Sequence, residues 1–254
     1  FALSPYVELE RQMKIGIDVG GTHTDAVVMR GLEILATHKA LTTSDVKQGI
    51  VEALDTVMSI ASLDAADITA VMIGTTHFTN AVIERKELSE TAIIRACLPT
   101  GSGIPPMCDW PEDIANCLGN HVYMLKGGHR FDGSEIHGLD DREIGTVLDD
   151  LVSKGIESIA IASAFSPINN SHEHYIAALA KAKIPDANIT VSHEIGRLGI
   201  LERENAALLN ASLGGLAQSV VSNMKAALVE RKIKCPFYVS QNDGTLMSAD
   251  FIAR

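Results

Sequence analysis

Lys14-Ile15-Gly16-Ile17-Asp18-Val19-Gly20-Gly21-Thr22-His23-Thr24-Asp25 is the stretch on which the reading of this chain turns. Ile15, Ile17 and Val19 alternate with other residues, which predicts a strand. Gly20-Gly21 breaks the run, and Thr24 to Met29 resumes it with β-branched and apolar residues. The two glycines therefore mark the tip of a hairpin within residues 14–30, with Asp18 at the end of its first strand. A dinucleotide-binding loop or a P-loop would pass from strand into helix, and a P-loop would end in Gly-Lys-Ser/Thr. Here a strand follows and no lysine is present.

A hairpin tip of this composition suits phosphate. Glycine has no Cβ, so backbone amides at Gly20 and Gly21 can come close to an anion and point the same way. Thr22 and Thr24 add hydroxyl donors. Asp18 can hold Mg²⁺ through water, the metal then bridging to the phosphates, and Asp25 can do similar work or orient a water. A plain Gly-Gly turn with polar caps would explain the glycines alone. The Asp, two glycines, two threonines and flanking strands together favour the phosphate reading.

Outward from the tip, Glu33 to Leu41 reads as a third strand, giving an antiparallel meander. Ser44 or Asp45 can cap a helix reaching about Ala61, with Ile50, Leu54, Val57 and Met58 on one face. A buried strand over Ala70–Thr76, a short helix over His77–Lys86 and a strand over Thr91–Cys97 follow. Residues 98–120 are rich in proline and glycine and read as a loop; a strand at His121–Leu125 and a polar turn extend the insertion candidate to 98–128. From Asp140 the order is regular: helix to Lys154, strand Ser158–Phe165, helix Ser171–Lys183, strand Asn188–His193. That alternation predicts parallel βαβ units. A long helix over Leu201–Arg231, a strand over Pro236–Ser240 and a turn at Asn242-Asp243-Gly244 complete an α/β chain with a mixed sheet.

The 254 residues carry a formal charge of −11, 46% hydrophobic and 21% charged residues. An acidic surface repels phosphate backbones and anionic lipid, which argues against nucleic acid and membrane as partners. No run approaches the ~18 apolar residues of a membrane helix. Cys97, Cys108, Cys117 and Cys235 form no Cys-x-x-Cys pair and read as reduced thiols of a cytoplasmic protein. A shared metal at Cys108, Cys117 and His121 has irregular spacing, and ordinary loop residues explain them better. Residues 1–12 lack the shape of a signal peptide and read as an extension before Met13.

Several blocks in order resemble one family. Asp18-Val19-Gly20-Gly21-Thr22-His23-Thr24-Asp25 resembles the D-V-G-G-T-x-T-D start of the hydantoinase/oxoprolinase family and the first phosphate loop of the actin, sugar-kinase and heat-shock-ATPase superfold. Gly74-Thr75-Thr76 with Thr79-Asn80-Ala81 and Glu84-Arg85-Lys86 is similar to its G-T-T-x-x-T-N-A segment. Ser192-His193-Glu194, Leu201-Glu202-Arg203-Glu204 and Leu209-Asn210-Ala211 form another such block, and Ser240-Gln241-Asn242-Asp243-Gly244-Thr245-Leu246-Met247-Ser248 a last one. Two departures stand out: His23, where an aromatic or small apolar residue is usual, and Thr245, in place of a second glycine.

The resemblance implies a ribonuclease H-like lobe of the actin-like ATPase superfold. It implies ATP and Mg²⁺ as cofactors and a cyclic amide (a hydantoin, 5-oxoproline or related lactam) as substrate. It further implies a second, B-like hydantoinase subunit or a homo-oligomer as partner. Residues 13–195 would be the amino-terminal lobe and 196–254 the start of the following domain. Only one phosphate loop is present, so the chain by itself is expected to be inactive. A small-molecule kinase of the same superfold and a nucleotide-binding regulatory or scaffold subunit remain as alternatives. Thr75, Thr76, His77 and Asn80 sit where a strand meets a helix, a common ligand position, although helix capping would use the same threonines. Arg130 and Asp132 lie in a polar turn, where the arginine can meet a substrate carboxylate or merely close the turn. Asp243 can face the nucleotide. Glu202, Arg203 and Glu204 open a helix, where acidic residues suit the helix dipole without any catalytic role.

Overall fold

The computed structural model describes residues 12–41, 46–241 and 243–252. The extension read at residues 1–12 (Gln12 apart), the Ser44/Asp45 cap and Asn242 lie outside them. The strands are β1 (Met13–Val19), β2 (His23–Arg30), β3 (Glu33–Leu41), β4 (Ile68–Thr75) and β5 (Thr91–Leu98). They continue as β6 (His121–Lys126), β7 (Ser158–Ser163), β8 (Asn188–Val191), β9 (Phe237–Ser240) and β10 (Leu246–Ser248). The helices are α1 (Val46–Ala61), α2 (His77–Glu84), α3 (Glu112–Cys117), α4 (Asp141–Lys154) and α5 (Ser171–Lys183). After them come α6 (Ser192–Ile195), α7 (Ile200–Ser212), α8 (Gly214–Glu230) and α9 (Ala249–Ile252). Among the described residues no helix is long and apolar enough to cross a membrane.

Two compact units divide the chain by packing. The first runs to Glu84 and resumes at Leu216; the second is Arg85–Gly215. In the first unit the strand order is β10-β9-β4-β1-β2-β3. β1, β2 and β3 form the antiparallel meander, and β4 and β9 add in parallel on the other side of β1. The alternation of β1 works as read: Ile15, Ile17 and Val19 turn inward with Val28, Ile73 and Val239. Ile50, Leu54 and Val57 of α1 and Val221, Met224 and Leu228 of α8 pack onto them. Burial of each such side chain stabilises the fold by about 1.5–3 kcal/mol. Lys14, Gly16 and Asp18, with the opposite parity, take the other face.

The second unit has its own sheet, β6-β5-β7-β8, with every pairing parallel. Its central strands are buried on both faces, which is why β5 and β7 read as continuous runs and not as alternations. Ile94, Ile159 and Ile161 meet α4 and α5, whereas Ile93, Ala160 and Ala162 meet α7. α4 begins where Asp140 accepts from Arg142 N (2.8 Å) and ends at Gly155, whose φ of 68° is the left-handed conformation glycine adopts freely.

Several sequence expectations shift. The meander and the βαβ units belong to different sheets, and β9 returns to the first. Residues 98–128, read as a candidate insertion, carry α3 and β6: 99–120 form the crossover from β5 to β6, which pairs with β5 in the second sheet. The helix expected over Leu201–Arg231 is two helices. A Cβ on Gly214 would lie 1.7 Å from Asn188 Nδ2. Asn188 Nδ2 and Ser158 Oγ both donate to Ala211 O, and Ser89 N donates to Ser212 O at 2.9 Å, so the end of α7 is satisfied from outside the helix. β7 stops at Ser163. β8 stops at Val191, where α6 begins.

Candidate functional site

The carboxyl ends of β1, β4 and β9, three mutually parallel strands, carry most of the residues singled out in the first unit. Ligands in α/β sheets gather at such ends. Asp18 pairs across the hairpin with Asp25 and across the parallel ladder with Gly74. Its side chain is exposed and has no hydrogen-bond or ion-pair partner among the described residues. A carboxylate left unpaired beside a turn of exposed amides fits a hydrated divalent cation, because magnesium usually retains several waters and takes only one or two carboxylates.

The tip does not use its glycines equally. Gly20 N donates to His23 O at 2.9 Å, which closes the turn. A Cβ at Gly20 would come within 3.1 Å of that oxygen. Gly20 therefore shapes the tip, and the backbone amides left for an anion are those of Gly21 and Thr22, both exposed. The Thr22 hydroxyl lies 3.1 Å from His23 Nδ1. Thr24, read as a phosphate hydroxyl, points the other way: it is 1% exposed and faces Gly49 of α1. Asp25 stands on the same face as Asp18, but both of its oxygens accept from Lys39 Nζ at 3.1 Å. Lys39, a cation at this end of the sheet, was not legible as a site residue.

The start of α2 closes on the tip. Thr76 N donates to Val19 O (3.4 Å), Thr75 Oγ1 accepts from His77 N (3.0 Å), and Asn80 N bonds to Thr76 O (2.9 Å). Asn80 Nδ2 lies 3.4 Å from Thr76 Oγ1 and 3.6 Å from where a Gly21 Cβ would stand. Thr75 thus caps the helix, and the Asn80 amide borders the tip. Asp243 lies in the turn after β9, where its Oδ1 accepts from Thr245 N (2.9 Å) and Thr245 Oγ1 (2.7 Å). Those bonds hold its carboxyl below the ordinary carboxylate range. Thr245, the departure from Asp-Gly-Gly, thus closes the turn with its own hydroxyl.

In the second unit, Arg130 closes its own turn: Nη1 donates to Glu135 O (2.9 Å), while Asp132 Oδ1 accepts from Ser134. Arg203 and Glu204 are not dipole-complementing surface groups. Glu204, fully buried, holds Arg95 through two bonds of 2.6 Å. Burial lowers the pKa of Arg95, but the bonds from Glu204 outweigh it, and the guanidinium stays above its ordinary value. Arg203 donates to Ser192 Oγ and Leu198 O. Nearby, the buried Glu173 carboxylate accepts from Ser163 N, Ser192 Oγ, His193 N and His193 Nδ1.

Ligand atoms of His129, Glu135 and His172 lie within 4.8 Å of one another, a grouping sequence spacing did not disclose. It is a poor metal centre. Gly128 N donates to His172 Nδ1 (2.9 Å), which leaves the proton on Nε2, 3.2 Å from Glu135 Oε1. His172 is therefore a donor to Glu135, and binding a cation there would require an imidazolate. Of Cys108, Cys117 and His121, better explained from sequence as ordinary loop residues, Cys117 turns to Arg85 O and His121 to Glu90.

The first unit's meander, its parallel β4 and β9 and its glycine tip define an actin-like ATPase-type lobe. Two solved structures superpose on the chain. A nucleotide-free acetone carboxylase does so with TM-score 0.78, 18% identity, and coverage of 96% of this chain and 38% of its own. An ATP-dependent caprolactamase from Pseudomonas jessenii gives TM-score 0.77, 21% identity, and coverage of 93% and 36%. Residues 14–184 match the hydantoinase/oxoprolinase N-terminal region, and the chain belongs to that family. Among curated proteins, the caprolactamase subunit alpha of Pseudomonas jessenii is 24% identical over 269 residues, covering 93% of this chain. An uncharacterized protein of Methanocaldococcus jannaschii is 22% identical over 254 residues, covering 94%. The chain spans 36% of the length of each.

Proposed function

We propose that this chain supplies a nucleotide-phosphate lobe to an ATP-dependent enzyme that activates a cyclic amide such as a lactam or hydantoin. The observation that carries the reading is the unpartnered Asp18 carboxylate beside the exposed Gly21 and Thr22 amides, at the converging ends of β1, β4 and β9. Family membership and the likeness to a caprolactamase subunit support the choice of substrate class. In this reading Asp18 would hold Mg²⁺ through water, and the ion would supply positive charge against the phosphates. Gly21, Thr22 and the first turn of α2 receive phosphate oxygens. Gly20 shapes the turn, Asp25 is restrained by Lys39, and Asp243 orders the turn beside the site.

The chemistry follows from the substrate. An unstrained lactam carbonyl is a poor electrophile, and phosphorylation of its oxygen creates a leaving group. The proposal includes a second hydantoinase-type subunit, a cytoplasmic location, and a family boundary near residue 195 between the amino-terminal region and the next domain. It also holds that residues 13–254 alone lack turnover, because one lobe leaves the site wet and weakens electrostatic stabilisation.

The test is Asp18→Asn in the full-length gene product with its partner subunit. Turnover of ATP should fall by at least a hundredfold with the melting temperature unchanged. Near-normal turnover at saturating Mg²⁺ would remove Asp18 from the metal role. Phosphate release dependent on a cyclic amide supports the hydrolase; a phosphorylated end product would instead indicate a kinase, and binding without turnover a regulatory subunit.

A further inference from the structure

Asp18, Gly74 and Ser240 stand at one level on three adjacent parallel strands. The register pairs Asp18 with Gly74, and the β4–β9 pairing of Ile73 with Val239 brings Ser240 level with Gly74. Gly74 has no side chain, so the middle strand leaves a notch. Asp18 Oδ1 and Ser240 Oγ lean into it from either side, each 3.1 Å from where a Gly74 Cβ would stand. Neither oxygen has a partner among the described residues. A carboxylate and a hydroxyl facing one another without partners across a glycine form an oxygen-lined notch in an otherwise packed sheet.

We infer that Ser240 is a positioning residue for the hydrated cation held by Asp18, and that Gly74 is glycine to keep the notch between them open. The inference deepens the proposed function and rests on it. Magnesium keeps most of its waters, so a protein orients it chiefly through groups that bond those waters. A serine hydroxyl both donates and accepts, and could accept a hydrogen bond from a cation-bound water that Asp18 would also hold. A methyl group at position 74 would meet both oxygens at a distance tighter than ordinary contact and would drive the carboxylate out of its place. The backbone itself permits alanine there, because Gly74 is not among the residues with positive φ.

The experiment is calorimetric titration of Mg²⁺ into the full-length protein with a non-hydrolysable ATP analogue, for wild type, Ser240→Ala, Ser240→Thr, Gly74→Ala and Asp18→Asn. Loss of one hydrogen bond to a charged shell predicts about tenfold weaker Mg²⁺ binding for Ser240→Ala. Ser240→Thr, which keeps the hydroxyl, should restore most of it. Gly74→Ala should weaken Mg²⁺ binding by at least as much while the melting temperature stays near wild type. Asp18→Asn is the reference. If it too leaves Mg²⁺ binding unchanged, the nucleotide-site reading itself fails. If Asp18→Asn abolishes Mg²⁺ binding while Ser240→Ala and Gly74→Ala match wild type, the notch has no such role and the nucleotide site stands.

Discussion

Replacing Glu204 by Gln preserves shape and removes one charge from the interior of the second unit. Arg95 is 1% exposed and Glu204 is fully buried, and the two share a pair of 2.6 Å bonds. The Arg95 guanidinium would then keep its charge with the Ile104 carbonyl, the Cys97 side chain and a neutral amide oxygen as neighbours in place of the carboxylate. Breaking a buried pair from one side costs about 3–5 kcal/mol, because the remaining charge is left without its counter-ion. For a unit of this size that corresponds to a fall of roughly 10–20 °C in melting temperature. Calorimetry on the full-length protein, following the transition of this unit, measures it. The double change Arg95→Met with Glu204→Leu removes both charges and should recover most of the loss, because a well-packed apolar pair often equals a buried ion pair. If Glu204→Gln melts within about 2 °C of wild type, a value far below the range above, the pair carries no charge worth its burial and the reasoning is refuted.

Thr24→Val should lower stability by about 1 kcal/mol, since it loses a buried hydroxyl, and leave nucleotide affinity unchanged; a large loss of affinity would return Thr24 to the phosphate site. His129 has its pKa lowered by burial and by the neighbouring His172, with Glu135 opposing. Its native form therefore binds fewer protons than the unfolded chain, and its contribution to stability is lost as pH falls below about 6.5. Denaturant titrations from pH 7.5 to 5 should show that fall, and His129→Asn should flatten it. Gly214→Ala, which places a methyl group on the Asn188 amide, should cost at least 2 kcal/mol by urea unfolding.

Local pattern carried the first unit's edge of the site. Ile15, Ile17 and Val19 announce β1, and Gly20-Gly21 announce the turn, because alternation and glycine act within a few residues. The same alternation, carried one step further, sets Thr24 with Ala26 and Val28 on the buried face; reading the tip as a list of donors overlooked it. The division into two sheets was not legible. β4, β5, β7 and β9 are all short apolar runs, and which of them pair depends on contacts far apart in the chain. Gly214-Gly215 stands at the helix break, and the reading of one helix over Leu201–Arg231 ran across it. β10 has three residues, too few for any period to show. Lys39 and the pair Arg95–Glu204 acquire their partners, and Ser240 its place beside Gly74, only through tertiary pairing, which no spacing in the sequence records.

The second unit interrupts the first sheet between β4 and β9, and this has a consequence for the order of folding. Val71 must find Phe237 with the whole of Arg85–Gly215 between them. Such a pairing is slow when the intervening chain is open, since loop closure is entropically costly before any contact is made. The bond from Ser89 N to Ser212 O ties the two ends of the second unit together once it has folded. From then on the two ends of the intervening chain are held close together, which shortens the effective loop that β9 must close to reach β4. On a ribosome the second unit emerges complete before β9 does, so this protein should build its site from the inside of its sequence outward, with Ser240 reaching Asp18 last.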